Sequence, residues 1–363
     1  MTEDLSRSSA LASRHIALGS GLEDWNGMGT AWSYDSDPNN EHDAVRERAG
    51  MFDMSPLKKV FVRGPEAQAV LDHLTTRDMT KLAPGKATYT CVLTEKGGIA
   101  DDAIVSNNGG DEWMIVHGSG DTMALLEASA QGRDVSVEFT DDLHDLSVQG
   151  PAALDILNAH CDMDLARLAY FDHAATRLFG HPCRISRTGY SGERGYEIFA
   201  DGRVIGEIWD LLVQAGVMPC SFTALDKLRI EAGLLFYGYD MSEDNTPWEV
   251  GLGFTIGKSK GAFRGKSAVL AAKGAPAVAN ICLDIDHADM VAGGEVLSMD
   301  GVEVGVVNSP CYSHRLGKSL ALAHIKPDIA VGSILDLSGG GITTTATVVQ
   351  SPIYDPEKSR THA

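Results

Sequence analysis

Alternating apolar and polar positions between Gly85 and Val105 predict a β-hairpin. Residues Tyr89–Thr94 are rich in β-branched and aromatic side chains, Glu95–Gly98 are turn formers, and Ile99–Val105 return to a strand pattern. The returning strand carries two adjacent carboxylates. The hairpin therefore brings acidic side chains close to a tyrosine.

Closure of the turn over positions 96–97 would pair residues whose numbers sum to 193, so that Asp102 lies opposite Cys91. Because side chains alternate between the two faces of a strand, Tyr89 and Asp102 would share one face and Asp101 would lie on the other. A bulge at the glycines would reverse this assignment. The alternative for the acidic pair is a solvated strand edge, where charges discourage pairing between sheets.

An internal repeat flanks the hairpin. Val62–Leu74 and Val148–His160 share a strand, a Gly-Pro junction and an amphipathic helix, 86 positions apart. Pro65 and Pro151 suit the first helical position, where a missing N–H costs nothing. The repeat predicts two duplicated α+β units that face each other, with a ligand cleft between them.

Further patterns predict the other elements. We expect a helix over Glu41–Ala49 that ends at Gly50 as a C′ glycine, and helices over Val204–Ala215 and Ala224–Leu235. From about Asn280 onward, short strands alternate with glycines, which predicts a small all-β domain.

Aromatic residues in the first 40 positions leave two interpretations open. Trp25, Trp32 and Tyr34 stand in a glycine-rich, irregular background. Such side chains either fasten loops onto a core or line a substrate pocket.

Length and composition narrow the class of protein. The chain has 363 residues, which predicts two or three domains, and its net charge of −20 argues against nucleic acid as a partner. Its six cysteines form no CxxC or Cys/His cluster, so we expect neither disulfides nor a metal site. The N-terminus has no secretory pattern and no membrane-spanning run occurs, which predicts a cytoplasmic protein.

The order and spacing of several motifs resemble the tetrahydrofolate-dependent aminomethyltransferase family, which includes the glycine cleavage T-protein and the folate-dependent demethylases. The motifs cover nearly the whole chain: MFDMS (51–55), VRGPEA (62–67), GKATYT (85–90), GGIADD (97–102), VQGP (148–151), SRTGYSGERGYE (186–197), LRIEAG (228–233), WEVGLGF (248–254), FRGKSA (263–268) and LGKSLALAHI (316–325).

The resemblance implies an α+β fold, a three-domain cloverleaf in which two interleaved, duplicated α+β domains surround a central folate channel and a C-terminal β-barrel follows. The expected ranges are 1–52 with 147–225 for the first domain, 53–146 with 226–279 for the second, and 280–363 for the barrel.

The resemblance also assigns residues. Asp102 matches the family's catalytic carboxylate beside the reactive nitrogens of tetrahydrofolate. Folate-binding positions are implied at Tyr89, Tyr190, Glu197, Leu57, Ile115 and His117. A carboxylate such as Glu197 can accept two hydrogen bonds from the aminopyrimidine edge of a pterin.

Several positions differ from the T-proteins. Those proteins carry arginines where this chain has Leu225 and Asp355, an asparagine at the position of His117, and His-Met where it has Pro56-Leu57. Lost cations change the electrostatics of the pocket, and the tail and the 224–229 helix are more similar to the demethylases. His117 is either a catalytic or ligand-lining residue or a structural histidine.

Three functional hypotheses follow. The first is an enzyme that moves a methyl group from a small S-, N- or O-methylated donor to tetrahydrofolate. The second is a T-protein that acts on a lipoylated carrier protein, a partner that the acidic chain disfavours. The third is a folate-binding regulator without turnover.

Overall fold

The computed structural model describes residues 5–118 and 120–363, and this part of the chain folds into short helices and strands. The helices are α1 (Ala12–Ala17), α2 (Pro38–Glu47), α3 (Ala67–Leu74), α4 (Thr122–Ala130), α5 (Ala153–Asn158), α6 (Gly202–Gln214), α7 (Phe222–Glu231) and α8 (Lys266–Ala271). The strands are β1 (Glu23–Trp25), β2 (Met28–Thr30), β3 (Gly50–Asp53), β4 (Lys58–Arg63), β5 (Ala87–Leu93), β6 (Ile99–Gly109), β7 (Glu112–His117), β8 (Ser136–Thr140), β9 (Leu143–Gln149), β10 (His173–Leu178), β11 (His181–Ser186), β12 (Gly195–Asp201), β13 (Met218–Pro219), β14 (Ala279–Ile285), β15 (Val296–Met299), β16 (Val302–Ser313), β17 (Lys318–Ile325), β18 (Ile334–Gly339) and β19 (Ile342–Val349). No helix in the described ranges combines the length and apolar character needed to cross a bilayer.

Two sheets carry the duplicated units, and the α+β class is confirmed. The first sheet has the strand order β10-β11-β12-β9-β3-β13 and the second has the order β5-β6-β7-β4-β8. Each sheet covers its own apolar core, one packed around Leu146, Tyr196 and Ile208, the other around Val62, Val105 and Leu126. Where the sheets meet, Phe199 packs against Met114 and Val116.

The repeat is confirmed, because each copy runs from a strand (β4 or β9) through a helix to a hairpin (β5–β6 or β10–β11). The prolines lie earlier than expected. Pro65 and Pro151 precede the N-cap residues Glu66 and Ala152, so they belong to the turn before each helix and not to its first position.

The two copies join at equivalent positions. Lys86 pairs with Asp172, its own counterpart 86 positions later, in an isolated antiparallel bridge. The Ala87 amide donates to the Phe171 carbonyl at 2.8 Å, and the His173 amide donates to the Gly85 carbonyl at 2.9 Å. This reciprocity indicates an approximate two-fold axis between the halves.

The C-terminal strands form the expected barrel. It closes in the order β14-β17-β16-β15-β18-β19, around buried residues such as Leu283, Ala323 and Leu335. The domain bounds stay a prediction; those at 52/53 and 146/147 fall within β3 and β9.

Helix α2 corrects one expectation from the sequence. It begins at Pro38 with the Asp37 side chain as its N-cap, and its C-cap is Arg48. Gly50 is therefore not a C′ glycine but the first residue of β3. A Cβ at this position would lie 2.6 Å from both Cys220 Sγ and Val45 Cγ2, so close packing explains the glycine.

Arg46 connects α2 to α7 through buried ion pairs, which gives a test of stability. Its guanidinium is 1% exposed and contacts Glu231 at 2.7 Å and Glu193 at 3.0 Å. We expect Arg46→Met to lower the free energy of unfolding by about 3–5 kcal/mol, because buried carboxylates lose their counterion. Arg203→Met, which breaks an exposed pair with Asp201, should leave the free energy of unfolding nearly unchanged, because solvent screens that pair. Equal urea midpoints for the two variants would contradict this prediction.

Candidate active site

A cavity of about 800 Å³ lies between the two sheets and is closed by the segment after α7 and by residues from 351 onward. Six of the residues expected from the sequence line it: Leu57, Tyr89, Asp102, His117, Tyr190 and Glu197. The two halves and the tail thus converge on one chamber.

The predicted register of the β5–β6 hairpin is correct at the carboxylates. Asp102 lies opposite Cys91, and Tyr89 lies opposite Ile104. The turn itself differs, because the pairing begins with Leu93 opposite Ile99, one position out of the expected register. A bulge next to Leu93 restores the register before Asp102, so bulge and turn offset each other.

Asp102 and Tyr89 form a hydrogen-bonded pair in the cavity wall. The Tyr89 hydroxyl donates to Asp102 Oδ2 at 2.9 Å. Burial, followed by the nearby charge of Asp101, raises the pKa of Asp102 to about 7. A carboxyl group with such a pKa can both accept and donate a proton at neutral pH.

Asp101 lies behind Asp102 on the opposite face of β6 and is fully buried. It accepts hydrogen bonds from Thr122 Oγ1 at 2.7 Å and from the Asp102 amide at 2.9 Å, and it lies 3.0 Å from His117 Nδ1. The solvated-edge interpretation of this residue is therefore wrong.

His117 joins this buried network at the end of β7. Its ring is 1% exposed, and its Nε2 is buried without a hydrogen-bond partner among the described residues. The contact with Asp101 gives it a structural partner, while its place in the cavity wall keeps the ligand-lining role a proposal.

Two more carboxylates lie on the facing wall. Glu197 on β12 accepts a hydrogen bond from the Thr188 hydroxyl. Asp145 on β9 is 1% exposed, and neither of its buried oxygens has a hydrogen-bond partner in the described part of the chain. Burial raises the pKa of both groups, and for Asp145 the charge of Glu197 adds to the effect.

Asp145 is the main residue that the sequence analysis missed. In β9, Leu146 and Val148 belong to the apolar core, so the intervening polar residues Asp145 and Ser147 lie on the other face. This alternation was a readable signal, although it did not show which surface the polar face meets.

Of the other expected positions, Tyr190 lines the cavity and Ile115 does not. Tyr190 donates from its hydroxyl to the Leu235 carbonyl at 2.5 Å, which fixes the loop before β12 against the segment after α7. Ile115 does not line the cavity. It is fully buried in the second core, because its side chain points away from the face that carries Val116.

The tail covers the chamber and includes one of the positions that differ from the T-proteins. Asp355 lines the cavity and accepts hydrogen bonds from the Ser359 hydroxyl and the Arg360 amide, both at 2.7 Å. These contacts, with local burial acting against them, lower the pKa of Asp355. Leu225, the other position at which the T-proteins carry an arginine, is 4% exposed in an apolar cluster with Phe222.

The facing wall fits a pterin. Its aminopyrimidine edge offers adjacent N–H donors, and Asp145 presents buried acceptor oxygens that lack partners in the described chain. With Glu197 nearby, this wall can accept several hydrogen bonds from one planar ring.

One group outside the cavity has the composition of a metal site. Ligand atoms of His42, Asp43 and His314 lie within 4.8 Å of one another. Asp43 is already paired with Arg315 at 2.8 Å, and none of the three lines the cavity. This group is not part of the candidate active site.

Comparison with known proteins defines the class. Residues 11–260 match the family described as the GCVT N-terminal domain, and residues 279–355 match the glycine cleavage T-protein C-terminal barrel domain. The chain belongs to this family of folate-dependent methyl- and aminomethyltransferases.

Three of the relatives are named for three different activities. The chain is 46% identical to a heme-dependent oxidative N-demethylase gamma subunit of Ectopseudomonas mendocina, over 98% of this chain and 97% of the relative. It is 34% identical to an aminomethyltransferase of Herpetosiphon aurantiacus, over 95% and 97%. It is also 36% identical to a trimethylamine-oxide aldolase of Ruegeria pomeroyi, over 89% of this chain but 44% of that longer protein.

A solved structure supports the same class. The glycine cleavage system aminomethyltransferase T from Bartonella henselae superposes with a TM-score of 0.89 and 26% identity, covering 96% of this chain and 98% of that one. The three-part architecture inferred from the motifs is thereby confirmed.

The pKa of Asp102 predicts a pH dependence of activity and of stability. If the carboxylate is the active form, kcat/KM should rise with pH to a midpoint near 7, and Asp102→Asn should lower the rate about 10²- to 10⁴-fold.

Between the ordinary pKa of 3.8 and about 7, the folded state binds more protons than the unfolded state, so stability falls as pH rises. The free energy of unfolding of Asp102→Asn, measured relative to that of the parent, should therefore be higher at pH 8 than at pH 4. The same difference in urea midpoint between variant and parent at both pH values would contradict this prediction.

Asp101 provides a second test. Asp101→Asn removes a neighbouring negative charge, so the pKa of Asp102 should fall and the midpoint of the pH–rate profile should move to lower pH. Thr122→Val removes one hydrogen bond to Asp101 but keeps its charge, and it should move the midpoint much less. A shift of equal size in both variants would point to a structural cause.

Proposed function

We propose that this protein transfers a one-carbon unit derived from an N-methyl group onto tetrahydrofolate, at the oxidation level of formaldehyde. The observation that carries the proposal is the arrangement of Asp102, with a pKa near 7, across one cavity from Asp145, whose carboxyl oxygens have no hydrogen-bond partner in the described part of the chain. One wall can move a proton and the other can hold a pterin.

Two of the relatives support the choice of an N-methyl donor. One is an oxidative N-demethylase subunit and the other acts as an aldolase on trimethylamine oxide. Oxidation of an N-methyl group gives an iminium ion or its hydrolysis product, formaldehyde. A donor at this level is electrophilic, whereas direct displacement of a methyl group from an amine requires a much poorer leaving group.

The reaction balances without an oxidant or reductant. A methylene iminium ion gives its methylene carbon to tetrahydrofolate, whose N5 and N10 each lose one hydrogen. The iminium nitrogen gains both hydrogens and leaves as a secondary ammonium ion, so the single positive charge is conserved. With formaldehyde as donor, water leaves instead. Tetrahydrofolate supplies two amine nitrogens at the spacing of a five-membered ring.

The residues of this chain have distinct roles in that reaction. Asp102 accepts a proton as the first bond to the carbon forms and returns it to the departing amine or hydroxyl. The Tyr89 hydroxyl holds that carboxyl in position. Asp145 and Glu197 bind the aminopyrimidine edge, with Tyr190, Leu57 and His117 completing the walls.

A lipoylated carrier protein is the less favoured donor. In the T-proteins an arginine is found at the position of Leu225, and here that position belongs to an apolar cluster with Phe222 and Phe52. The loss of this cation removes an electrostatic contact that the T-proteins have at this position.

The proposal is tested by mixing enzyme, tetrahydrofolate and ¹³C-formaldehyde, with and without dimethylamine. We expect labelled 5,10-methylenetetrahydrofolate to form faster than in the spontaneous reaction, and Asp102→Asn to abolish the acceleration. Phe139→Leu, a change of an exposed aromatic outside the cavity, is the matched control. Acceleration only with a methylated amine and formation of 5-methyltetrahydrofolate would indicate methyl transfer instead. Turnover only with lipoylated carrier and release of ammonia would indicate a T-protein.

A further inference from the structure

A second cavity of about 180 Å³ adjoins the cavity of about 800 Å³ that we propose binds folate, which we term the folate chamber. The two share Tyr190, Phe222, Leu225 and Phe236 as common walls. A ligand in the smaller cavity would thus lie directly beside the larger one. None of the positions assigned from the family motifs explains it, except the shared Tyr190.

Five of the twelve residues that line it are aromatic: Trp32, Tyr190, Phe222, Phe236 and Tyr239. Trp32 contacts Phe222 with ring centroids 5.5 Å apart, and Phe236 contacts Tyr239 at 5.5 Å. Tyr239 is 61% exposed, an unusual degree for a large aromatic side chain that packs against another ring. Trp32 lines this cavity and also packs against the apolar cluster of Phe222 and Leu225, so both interpretations of this residue from the sequence stay open.

Among the described residues that line the cavity, Arg229 and Asp226 are charged, and a further carboxylate, Asp240, lies behind Arg229. Arg229 is buried, and its nitrogens are bonded within the protein: Nε to Asp226 at 2.7 Å, Nη1 to Asp240 at 2.5 Å and Nη2 to Ser309 at 2.9 Å. One guanidinium thus stands between two carboxylates, which leaves one net negative charge. Asp226 borders the cavity, and its side chain is 46% exposed.

The combination of rings and carboxylate indicates the ligand. The faces of aromatic rings attract cations, and methylated ammonium groups are the usual occupants of such cages because their methyl groups also fill apolar space. Formaldehyde, which is neutral and small, requires no cage of this kind. The Arg229 guanidinium lies 5.9 Å from the centroid of Phe236, so this ring already contacts a cation of the protein itself.

We propose that this aromatic cavity binds a small N-methylated ammonium or iminium cation next to the folate chamber. The role of that cation as the carrier or former carrier of the one-carbon unit rests on the proposed function. The binding itself does not, because the cavity is complete without folate.

The test is the binding of trimethylammonium chloride to the whole protein without folate, followed by saturation-transfer NMR of its methyl protons. We expect saturation transfer from the protein, with little to the neutral analogue tert-butanol at equal concentration. Tyr239→Leu and Asp226→Asn should each weaken binding roughly five-fold, the size of one cation–π contact or one partly exposed charge.

Matched changes outside the cavity provide the controls. Phe139→Leu alters an exposed aromatic and Asp244→Asn an exposed carboxylate, and both should leave binding unchanged. Equal saturation of trimethylammonium and tert-butanol, or equal affinity of parent and Tyr239→Leu, would overturn the inference. If the formaldehyde reaction is accelerated while the cation fails to bind, this inference falls and the proposed function stands. If the cation binds without any acceleration, the inference stands and the proposed function falls.

Discussion

The register of a single strand pair determines what the cavity can do. Asp101 and Asp102 are adjacent, so a slip of one residue in β6 would exchange the carboxylate in the cavity for the one in the core. The turn at 94–98 and the bulge beside Leu93 together set that register. The Tyr89–Asp102 hydrogen bond, and the place of Asp101 beneath it, depend on their combined effect.

The second constraint is the desolvation of several carboxylates around one space. Asp102, Asp145 and Glu197 all have raised pKa values because burial disfavours their charged forms. Burial of ionisable carboxyl groups lowers the stability of the folded state, and clusters of such groups are typical of sites of binding or proton transfer. Donors from a bound ring would supply the hydrogen bonds that Asp145 lacks in the described chain.

The sequence could predict what is local. The hairpin, the repeat and the barrel strands follow from short-range patterns, and the resemblance to the family supplied the chamber and most of its walls. Ile115 was misplaced because the neighbouring Val116, and not Ile115, faces the first sheet. Asp145 was missed because its importance depends on which distant surface its strand face meets. The aromatic cavity joins Trp32, α7 and the barrel residue Pro310, a combination that no local pattern contains.

The bridge between Lys86 and Asp172 fixes which positions of the two copies correspond to each other. By the repeat spacing and the pairing of β10 with β11, Ala175 corresponds to Tyr89 and Pro182 to Asp102. The second copy therefore lacks the acid–base pair, and its longer loop before β12 contributes Tyr190 instead. The two copies are therefore not equivalent around the cavity: one carries the Tyr89–Asp102 pair, and the other carries Tyr190 and Glu197. A ligand with two different ends would meet a different set of side chains in each of its two orientations, so this asymmetry distinguishes one orientation from the other.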